Sequence, residues 1–512
     1  MRVLLLCFTA CVLLRCDSAV GVLTEIDDTR YRAEFAVPLV DSRVALPQLV
    51  GEIDERVTLT VDADGLLRFN YTDTVPAVTS DQVFDELRAL ARGIPFAITK
   101  RQQQVPFPLP DDVRLRMLRI KSGSFTYNFP NTYAQPVRIR LEVTNATRDG
   151  EPLRVTGQLP AYSGSGAPPT LTNVDAPLDF SGYAFDLSDG TVSVDYAIDA
   201  LDGTPLAPSE QTLIAFTNLD VSFIEGYFGQ APYPGPSDRL EIDFFENYEA
   251  GDISFVDPII RVRIRNGFGL PARAVIDALN VETVDGEVLQ VTGQVVDEGF
   301  DFDYPTEPGN VATTTYLISE DNSNLSELLS AKPVALNYQI SALINPEADQ
   351  NITGYLLDTS TYAATITVEL PLYGSASDFA VRDSFAINLG EEYGEIEAAT
   401  FRITTDNELP FDLSVTGTFL DSLGRAVADL TDGELLIIDA SPVDAQGQPT
   451  ATASVSTDIV LDGDRLRGVR EASQLVLTTT FATTNSGTKA VRVTDRQQLR
   501  VRIGARLSVN HQ

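Results

Sequence analysis

The sequence has few of the residues that most often carry out enzyme chemistry. Its 512 residues include three cysteines, one histidine, two methionines and no tryptophan. The cysteines are Cys7, Cys11 and Cys16, and the histidine is His511. Catalytic sites of the Ser-His-Asp or Cys-His type, and zinc sites built on Cys and His, are therefore excluded from the body of the chain. The sequence also lacks a Walker A loop and a glycine-rich dinucleotide fingerprint.

The N-terminus has the layout of a secretory signal peptide. Arg2 and the amino terminus precede a largely apolar run from Val3 to Leu14. This run is too short to cross a bilayer, which takes about 20 apolar residues. A basic start followed by a short apolar run is typical of export signals. We predict a signal peptide over residues 1–15, so the exported chain keeps at most one cysteine and forms no internal disulfide.

The residues around the last cysteine resemble a bacterial lipobox. Leu13 and Leu14 precede Cys16, although Arg15 stands where a small residue is usual. The polar residues 17–29 have the composition of a tether. We predict lipid attachment at Cys16, a tether over residues 16–30 and placement at the outer membrane or cell surface. Cleavage without lipidation is the alternative, and it would give a periplasmic or secreted protein.

Basic residues are half as frequent as acidic ones. The chain has 37 Lys and Arg against 73 Asp and Glu, a formal net charge of −36, and the charge is spread along its length. Nucleic-acid binding needs a basic surface, and anionic lipid headgroups repel an acidic one, so both partners are disfavoured. The charge indicates solubility, including in salty surroundings where repulsion is screened. The 43% hydrophobic content allows several cores, and the length predicts three or four domains.

Short apolar runs alternate with Asp-Gly, Asn-Gly and Pro turns along nearly the whole chain. The runs 57–61 and 66–71 flank the turn 62–65 and predict a β-hairpin. Helical patterns are scarce. One helix is predicted over residues 79–92, with Thr79 and Gln82 as a capping box. A second is predicted over residues 326–331, capped by Asn324 and stopped by Pro333.

Three stretches share one plan: a strand, a turn containing Asn and Pro, a strand, an Asp/Gly turn and a further strand. They open at Gly123, Gly251 and Gly394, and their turns contain Asn131, Asn266 and Asn407. The spacing between the opening glycines fits β-sandwich units of about 130 residues. We interpret the stretches as internal repeats.

The fold class predicted from these patterns is mainly β. We expect tandem antiparallel β-sandwich (Ig-like) domains with a small N-terminal α+β module. The predicted domains are the α+β module at 31–110 and three sandwich units at 111–245, 246–385 and 386–512.

Four predicted strands carry arginine at alternating positions: Val113–Arg116, Val137–Arg140, Ile260–Arg263 and Leu499–Arg502. A period of two places the apolar residues inward and the arginines outward. The simplest interpretation is pairing with Asp or Glu across strands, at about 0.2–1 kcal/mol per pair. A basic stripe for an anionic partner is the alternative.

Three Asp-x-Asp pairs could ligate calcium, and they begin at Asp62, Asp301 and Asp462. None continues into an EF-hand loop, and the first and third contain Asp-Gly dipeptides typical of turns. Asp301 and Asp303 stand in an acidic, tyrosine-rich segment, so these two residues are the predicted metal ligands. The similar aromatic segments 225–228 and 233–236 are predicted either as contact surfaces or as buried packing.

The residues from Phe35 to Val40, leading to Asp64-Gly65-Leu66, resemble the N-terminal part of uncharacterised envelope lipoproteins of the Bacteroidota. The lipidated cysteine, the tether and the tandem sandwiches fit the same group. Three tripeptides are similar to the O-glycosylation signal of that phylum: Asp17-Ser18-Ala19, Asp73-Thr74-Val75 and Asp421-Ser422-Leu423. The resemblance implies outer-membrane or surface placement and no catalytic activity.

The function predicted from the sequence is that of a non-enzymatic, membrane-tethered lipoprotein that presents β-sandwich binding surfaces. It would be a scaffold or accessory subunit of an outer-membrane protein, or an adhesin, with no cofactor other than Ca²⁺. One alternative is a glycan-binding protein or a glycoside hydrolase that uses paired carboxylates at the cell surface. A second alternative is a structural stalk stiffened by calcium.

Overall fold

The computed structural model describes residues 32–45, 57–81, 84–85, 94–107, 109, 112–209, 211–387, 396–431 and 436–510. The predicted signal peptide and tether, with all three cysteines, lie outside this part of the chain. Most of the predicted helix over residues 79–92 lies outside it too. Thr79, its predicted cap, is the last residue of a strand, and the amide of Phe84 donates a helical hydrogen bond to the carbonyl of Ser80 (3.1 Å).

The protein is mainly β, as predicted, with 61% strand and 6% helix. The first half of the chain forms β1 (Arg32–Ala45), β2 (Val57–Val61), β3 (Leu67–Thr79), β4 (Ile94–Ala97), β5 (Gln102–Pro106), β6 (Arg114–Pro130), β7 (Val137–Arg148), β8 (Glu151–Leu159), β9 (Thr170–Thr172), β10 (Leu178–Asp179), β11 (Ala184–Asp186), β12 (Thr191–Ala200), β13 (Pro205–Leu206), β14 (Leu213–Tyr227), β15 (Ala231–Tyr233), β16 (Ser237–Glu241) and β17 (Tyr248–Phe255).

The second half forms β18 (Ile259–Asn266), β19 (Ala272–Thr283), β20 (Val288–Gln290), β21 (Phe300–Phe302), β22 (Ala312–Ile318), β23 (Pro333–Ile344), β24 (Gly354–Leu357), β25 (Thr361–Pro371), β26 (Tyr373–Ala386), β27 (Ile396–Asn407), β28 (Phe411–Leu420), β29 (Ala426–Asp429), β30 (Leu436–Ile438), β31 (Ala453–Asp462), β32 (Gln474–Thr483), β33 (Val491–Arg492) and β34 (Gln498–Asn510). The helices are α1 (Gln294–Glu298), α2 (Leu325–Ser330) and α3 (Gly463–Glu471), with a 3₁₀ turn at Asp243–Phe245.

The predicted hairpin is confirmed. β2 and β3 pair antiparallel with Val57 opposite Tyr71. The turn between them closes with hydrogen bonds from the amide of Asp62 to Leu66 and from the amide of Gly65 to Asp62. Gly65 has φ +89°, which a residue with a side chain adopts only at a cost, so the glycine is what permits this turn.

A 12-stranded antiparallel sheet forms the first sandwich. Its main order is β13-β12-β7-β11-β6-β14-β24, and β4, β5, β8, β9 and β10 pair with strands of this path. Phe129 on β6 and Tyr196 on β12 lie three strands apart, which is about 14 Å in a flat sheet. Their ring centroids are 5.4 Å apart, so the sheet curls over and buries its own inner face.

Two facing sheets form the second sandwich. The five-stranded sheet has the order β2-β3-β25-β18-β22, and the six-stranded sheet contains β15, β16, β23, β19, β20 and β21. Phe300 on one sheet stacks on Tyr316 of the other, with the centroids 4.3 Å apart. The core therefore fills the space between the sheets.

The third sandwich combines a four-stranded sheet, β1-β34-β27-β31, with a seven-stranded sheet that contains β17, β26, β32, β28, β29, β30 and β33. Val501 and Ile403 from the first sheet and Val415 and Leu477 from the second belong to one buried core. The antiparallel sandwich class is confirmed in this arrangement, while the Ig-like topology stays a prediction.

The three sandwiches are interleaved along the chain. β1 pairs with β34 in the third sandwich, β2 and β3 belong to the second, and β4 and β5 belong to the first. The chain returns to the second sandwich at β15, visits the third at β17 and goes back to the second at β18. Strand pairing thus crosses the predicted bounds at 110, 245 and 385, and residues 31–110 contribute strands to all three sandwiches.

Each stretch of the predicted repeat contains a fully buried asparagine where one strand ends and the chain turns into the next. The Oδ1 atoms of Asn131, Asn266 and Asn407 accept the amide two residues further on, at 2.9 Å in all three cases. The Nδ2 atoms donate to backbone carbonyls of other segments, including Pro160 (2.7 Å) and Asp439 (2.9 Å). These side chains satisfy buried backbone groups that the strand ladders leave unpaired. That the three stretches are internal repeats stays a prediction.

The short helix predicted over residues 326–331 is confirmed as α2, but Asn324 does not cap it through its side chain. Its Oδ1 instead accepts the amide of Thr292 (2.7 Å), and its Nδ2 donates to the carbonyl of Gln290 (3.2 Å). Ser323 Oγ accepts the amide of Leu325 (3.3 Å). The asparagine therefore ties the segment after β20 to the helix.

Candidate functional site

Two of the aromatic segments singled out in the sequence meet at one end of the second sandwich. Tyr233 is the last residue of β15, and Phe302 is the last residue of β21. Both side chains line a small cavity between the two sheets, together with Tyr362 on β25. The strands bring them together because β15 and β21 flank the central pair β19 and β23 of one sheet. The cavity measures about 30 Å³. That volume holds one or two water molecules, whereas ligand pockets usually measure about 300–1,000 Å³.

The cavity has no carboxylate in its lining. Its polar groups come from Asn266, which is bonded to the backbone, and from tyrosines. The hydroxyl of Tyr362 has no hydrogen-bond partner among the described residues. Burial raises the pKa of Tyr362 to about 12. The lining therefore offers no pair of carboxylic acids for hydrolysis, and we interpret this end of the sandwich mainly as packing.

We expect Tyr362→Phe to stabilise the protein by about 1 kcal/mol, because it removes a buried hydroxyl that lacks a partner. Tyr338→Phe is the matched variant, and it should destabilise the protein. Its hydroxyl donates to Asp73 Oδ2 at 3.0 Å, and a bond to a carboxylate contributes about 1.5–3 kcal/mol. Urea denaturation of both variants measures the two changes. Equal destabilisation by both would contradict the assignment of Tyr362.

The predicted calcium ligands do not converge. Both carboxylate oxygens of Asp301 accept hydrogen bonds from Arg273, at 2.7 and 3.2 Å. Asp303 contacts its surroundings through its backbone, which accepts from Asn266 and donates to Thr314. Within the described ranges, no group of three or more His, Cys, Asp or Glu residues could hold a metal ion. Calcium at Asp301 would have to displace a guanidinium group, and metal binding there stays a prediction.

The other Asp-x-Asp pairs are also engaged. Asp62 forms an ion pair with Arg68 at 2.7 Å, and Asp64 forms one with Arg492. Asp462 stands directly before α3. The turn interpretation of the first pair agrees with its hydrogen bonds.

The segment 225–228 at the end of β14 is held mainly by arginines of β6. Glu225 forms an ion pair with Arg116 at 3.4 Å, and the guanidinium of Arg114 lies 4.6 Å from the ring centroid of Tyr227. Phe228 packs against the core of the first sandwich. Of the two interpretations that the sequence allowed for this segment, contact surface or buried packing, its contacts agree with packing.

Cross-strand pairing of the arginine-bearing strands is confirmed in three of the four. Arg116 pairs with Glu225, Arg261 with Glu369 (2.6 Å) and Arg500 with Asp41 (2.7 Å). The hydrogen bonds from Arg500 hold the pKa of Asp41 below its usual value. In the fourth strand, β7, Arg138 and Arg140 have no ion pair among the described residues, although Arg138 lies opposite Asp199.

Two arginines of β18 resemble those of β7 in this respect. Arg263 and Arg265 are exposed and have no ion pair within the part of the chain that the structure describes. They stand on the solvent side of the five-stranded sheet, among threonines. We call this surface the threonine face, and it consists of Thr58 and Thr60 on β2, Thr72 and Thr74 on β3, Thr365 and Thr367 on β25, Thr313 and Thr315 on β22, and Arg261, Arg263 and Arg265 on β18.

The threonine face is not apparent from the sequence alone, although a signal for it exists. Four of the five strands contain Thr-x-Thr, and a period of two places both threonines on one face. The sequence could not show that the four strands belong to the same sheet. That requires β3, which carries β2 on its other side, to pair with β25, almost 300 residues further along the chain.

Among the described residues, no helix is long and apolar enough to span a membrane. No family model matches the chain, and no curated protein matches it. Solved structures give weak likenesses. A provisionally named secreted protein from Parabacteroides distasonis is 13% identical over 56% of this chain and 88% of its own, with a TM-score of 0.28.

Viral proteins give weaker likenesses still. The structure of infectious bursal disease virus, Gx strain, is 8% identical over 89% of this chain and 81% of its own, with a TM-score of 0.15. A chain from the structure of empty cowpea mosaic virus particles is 10% identical over 68% of this chain and 93% of its own, with a TM-score of 0.13. Similarities this low carry no argument about fold or function, and the chain is assigned to no family.

Proposed function

We propose that this protein is a non-enzymatic lipoprotein of the bacterial cell envelope, tethered through Cys16, that presents its sheet faces as binding surfaces. It acts as a scaffold or accessory subunit, or as an adhesin. The observation that carries the proposal is the contrast between the closely packed interior of the second sandwich and its open outer face. The cavity between the sheets of the second sandwich is about 30 Å³, whereas the threonine face is exposed and contains two arginines that have no ion pair with any described residue.

The carboxylates singled out in the sequence support a non-enzymatic role. A hydrolase needs two carboxylates free to act as acid and as base or nucleophile. Asp62, Asp64, Asp301 and Glu225 each form an ion pair with an arginine instead. Such pairing is what a protein with an excess of acidic residues uses to reduce repulsion on its surface.

The tether has a defined point of attachment. Residue 32 begins β1, which pairs along its length with β34, so Arg32 lies opposite Asn510. A lipid on Cys16 would therefore connect the membrane to the third sandwich, through a tether of up to about 50 Å when extended.

Cys16→Ser tests the anchor. We expect the unaltered protein to fractionate with membranes and to have an acylated N-terminal cysteine by intact mass. The Cys16→Ser variant should fractionate with soluble proteins. Cys11→Ser is the matched control, because Cys11 lies in the predicted signal peptide and its loss should change neither result. An unmodified N-terminus at or after Asp17 in the unaltered protein would overturn the anchor.

The scaffold role predicts a stoichiometric partner. Crosslinking in intact cells followed by purification from solubilised outer membrane should recover an outer-membrane protein at a fixed ratio. Recovery of the acylated chain alone, together with an absence of attachment to cells or surfaces, would contradict both the scaffold and the adhesin.

A further inference from the structure

We propose that the threonine face binds an anionic polysaccharide, with Arg263 and Arg265 contacting its carboxylate or sulfate groups and the threonine hydroxyls contacting its hydroxyls. The inference rests on the proposed function in that it treats this face as a binding surface. It does not depend on the lipid anchor, so the two can fail separately.

The threonine face is poor in acidic residues in a protein that is rich in them. Among the outward positions of its five strands, Glu369 is the one carboxylate, and its side chain is 10% exposed and paired with Arg261. The chain as a whole has twice as many acidic as basic residues. Arg263 and Arg265 therefore make this face locally positive against a formal net charge of −36.

The outer face of the third sandwich shows what the same protein does elsewhere. There, Arg402 pairs with Asp458 at 2.7 Å and Arg502 with Asp406 at 2.8 Å. The hydrogen bonds from Arg402 lower the pKa of Asp458. Arg402 and Arg502 are neutralised by neighbouring carboxylates, whereas Arg263 lies between Thr365 and Thr315, and Arg265 lies between Ala363 and Thr313.

The register arranges the polar groups in rows. Thr74 lies opposite Thr365, Thr365 opposite Arg263, and Arg263 opposite Thr315. Neighbouring positions along such a row are about 4.8 Å apart, and Arg263 and Arg265 are separated by about 6.7 Å along their strand. The result is an array of hydroxyl groups, with two cations on β18, the strand next to the edge strand β22.

This chemistry fits a polysaccharide better than a protein. Protein interfaces depend on aromatic anchors that fill pockets, but the outward positions of the threonine face contain none. Its largest exposed apolar side chain is Leu317, at 41%. Hydroxyl groups can donate and accept, as the hydroxyls of a sugar can, and guanidinium groups bind carboxylate and sulfate oxygens with charge-assisted hydrogen bonds.

The opposing charge of the rest of the protein gives the interaction an unusual salt dependence. At about 0.01 M salt the screening length is about 30 Å, so the whole acidic surface repels a polyanion. At about 0.1 M it falls to about 10 Å, and the two arginines dominate locally. At about 1 M their attraction is screened as well. Binding should therefore be strongest at intermediate salt.

The test is binding of the full mature chain to heparin, which is sulfated, and to polygalacturonate, which is carboxylated, with neutral dextran as the uncharged probe. We expect the double variant R263A/R265A to bind at least about tenfold more weakly, because it loses the charge-assisted contacts. The double variant T315V/T365V should bind severalfold more weakly, since it removes hydroxyls at nearly constant volume. Dextran should bind weakly to all of them.

The double variant R138A/R140A is the matched control. It removes two exposed arginines with the same spacing on β7, whose face also carries Glu142 on β7 and Asp195 and Asp199 on β12. Binding should change less than about twofold because these carboxylates repel a polyanion. Equal losses in the two arginine pairs, or a steady decrease of binding from the lowest salt upward, would overturn the proposal. Tighter binding of single-stranded DNA or polyglutamate than of either polysaccharide would overturn the ligand class. None of these outcomes bears on acylation of Cys16.

Discussion

Asn131→Ala is expected to lower the free energy of unfolding of the first sandwich by about 3–5 kcal/mol. The side chain is fully buried and makes three hydrogen bonds, to the carbonyls of Gln135 (3.0 Å) and Pro160 (2.7 Å) and from the amide of Tyr133 (2.9 Å). Its removal leaves three backbone groups without partners, and each unpaired buried group costs about 1–3 kcal/mol. Urea denaturation followed by tyrosine fluorescence measures the change without interference, because the chain has no tryptophan.

Asn131→Asp separates hydrogen bonding from shape. The carboxylate has nearly the volume of the amide but faces two carbonyl oxygens, and burial together with these oxygens raises its pKa. A carboxyl group whose pKa is raised in the folded state stabilises the fold below its unfolded value, near 3.9, and loses that contribution as the pH rises. Asn131→Asp should therefore be less stable at pH 7 than near pH 4, relative to the unaltered protein, while the deficit of Asn131→Ala should stay constant.

The stability losses of the three asparagine-to-alanine variants should follow the number of hydrogen bonds that each asparagine makes. Asn407 also makes three backbone hydrogen bonds, whereas Asn266 makes two, so Asn266→Ala should cost less than the other two alanine variants. Asn310→Ala is the control, because that side chain is exposed and has one bond of 3.3 Å; it should change stability by less than about 0.5 kcal/mol. A larger loss for Asn266→Ala than for Asn131→Ala would contradict the hydrogen-bond explanation.

The sequence predicts the local elements of this fold well, because their signals are local. The hairpin of β2 and β3 follows from alternation and from Gly65, which the turn requires. The asparagines of the three similar stretches are visible as turn residues. What the sequence does not show is that Asn131 and Asn407 are buried, because this depends on carbonyls about 30 residues away, at Pro160 and Asp439.

The outward direction of the β18 arginines was predictable because its signal is local, whereas their partners were not. Alternation places the arginines of β18 outward, and pairing with acidic residues was the expected outcome. Arg261 follows it through Glu369, but Arg263 and Arg265 do not, because the residues opposite them on β22 and β25 are threonines and an alanine. Pairing partners in a sheet depend on topology, and period-two patterns contain no information about it.

The interleaving of the sandwiches lies beyond what the sequence patterns indicate. The sequence predicts a separate module over residues 31–110, because this segment contains the main predicted helix and precedes the repeats. The partners of β1 to β5 come from three different sheets, and β1 pairs with a strand more than 450 residues away. Nothing in the alternation of residues 32–45 distinguishes a local partner from a remote one.

Removal of β1 is expected to unfold or strongly destabilise the third sandwich. A chain that starts at residue 46 lacks a strand that matches β34 over thirteen residue pairs, and with it the bidentate contact between Arg500 and Asp41. About ten backbone hydrogen bonds, at about 0.5–1.5 kcal/mol each, give a loss of at least about 5 kcal/mol. The freed edge of β34 would also be open to pairing between molecules. Calorimetry and the oligomeric state measure the two effects.

A chain that starts at residue 32 is the matched control, because it lacks the predicted tether and keeps β1, and it should melt as the full mature chain does. A peptide of residues 32–45 should restore the lost transition to the chain that starts at residue 46, since strand addition to a sheet edge is driven by main-chain hydrogen bonds. A scrambled peptide of the same composition should not, because it cannot place apolar side chains inward in register. Identical melting of the two truncated chains would mean that residues 32–45 do not belong to this sheet. Rescue by the authentic peptide alone would show that β1 completes the third sandwich.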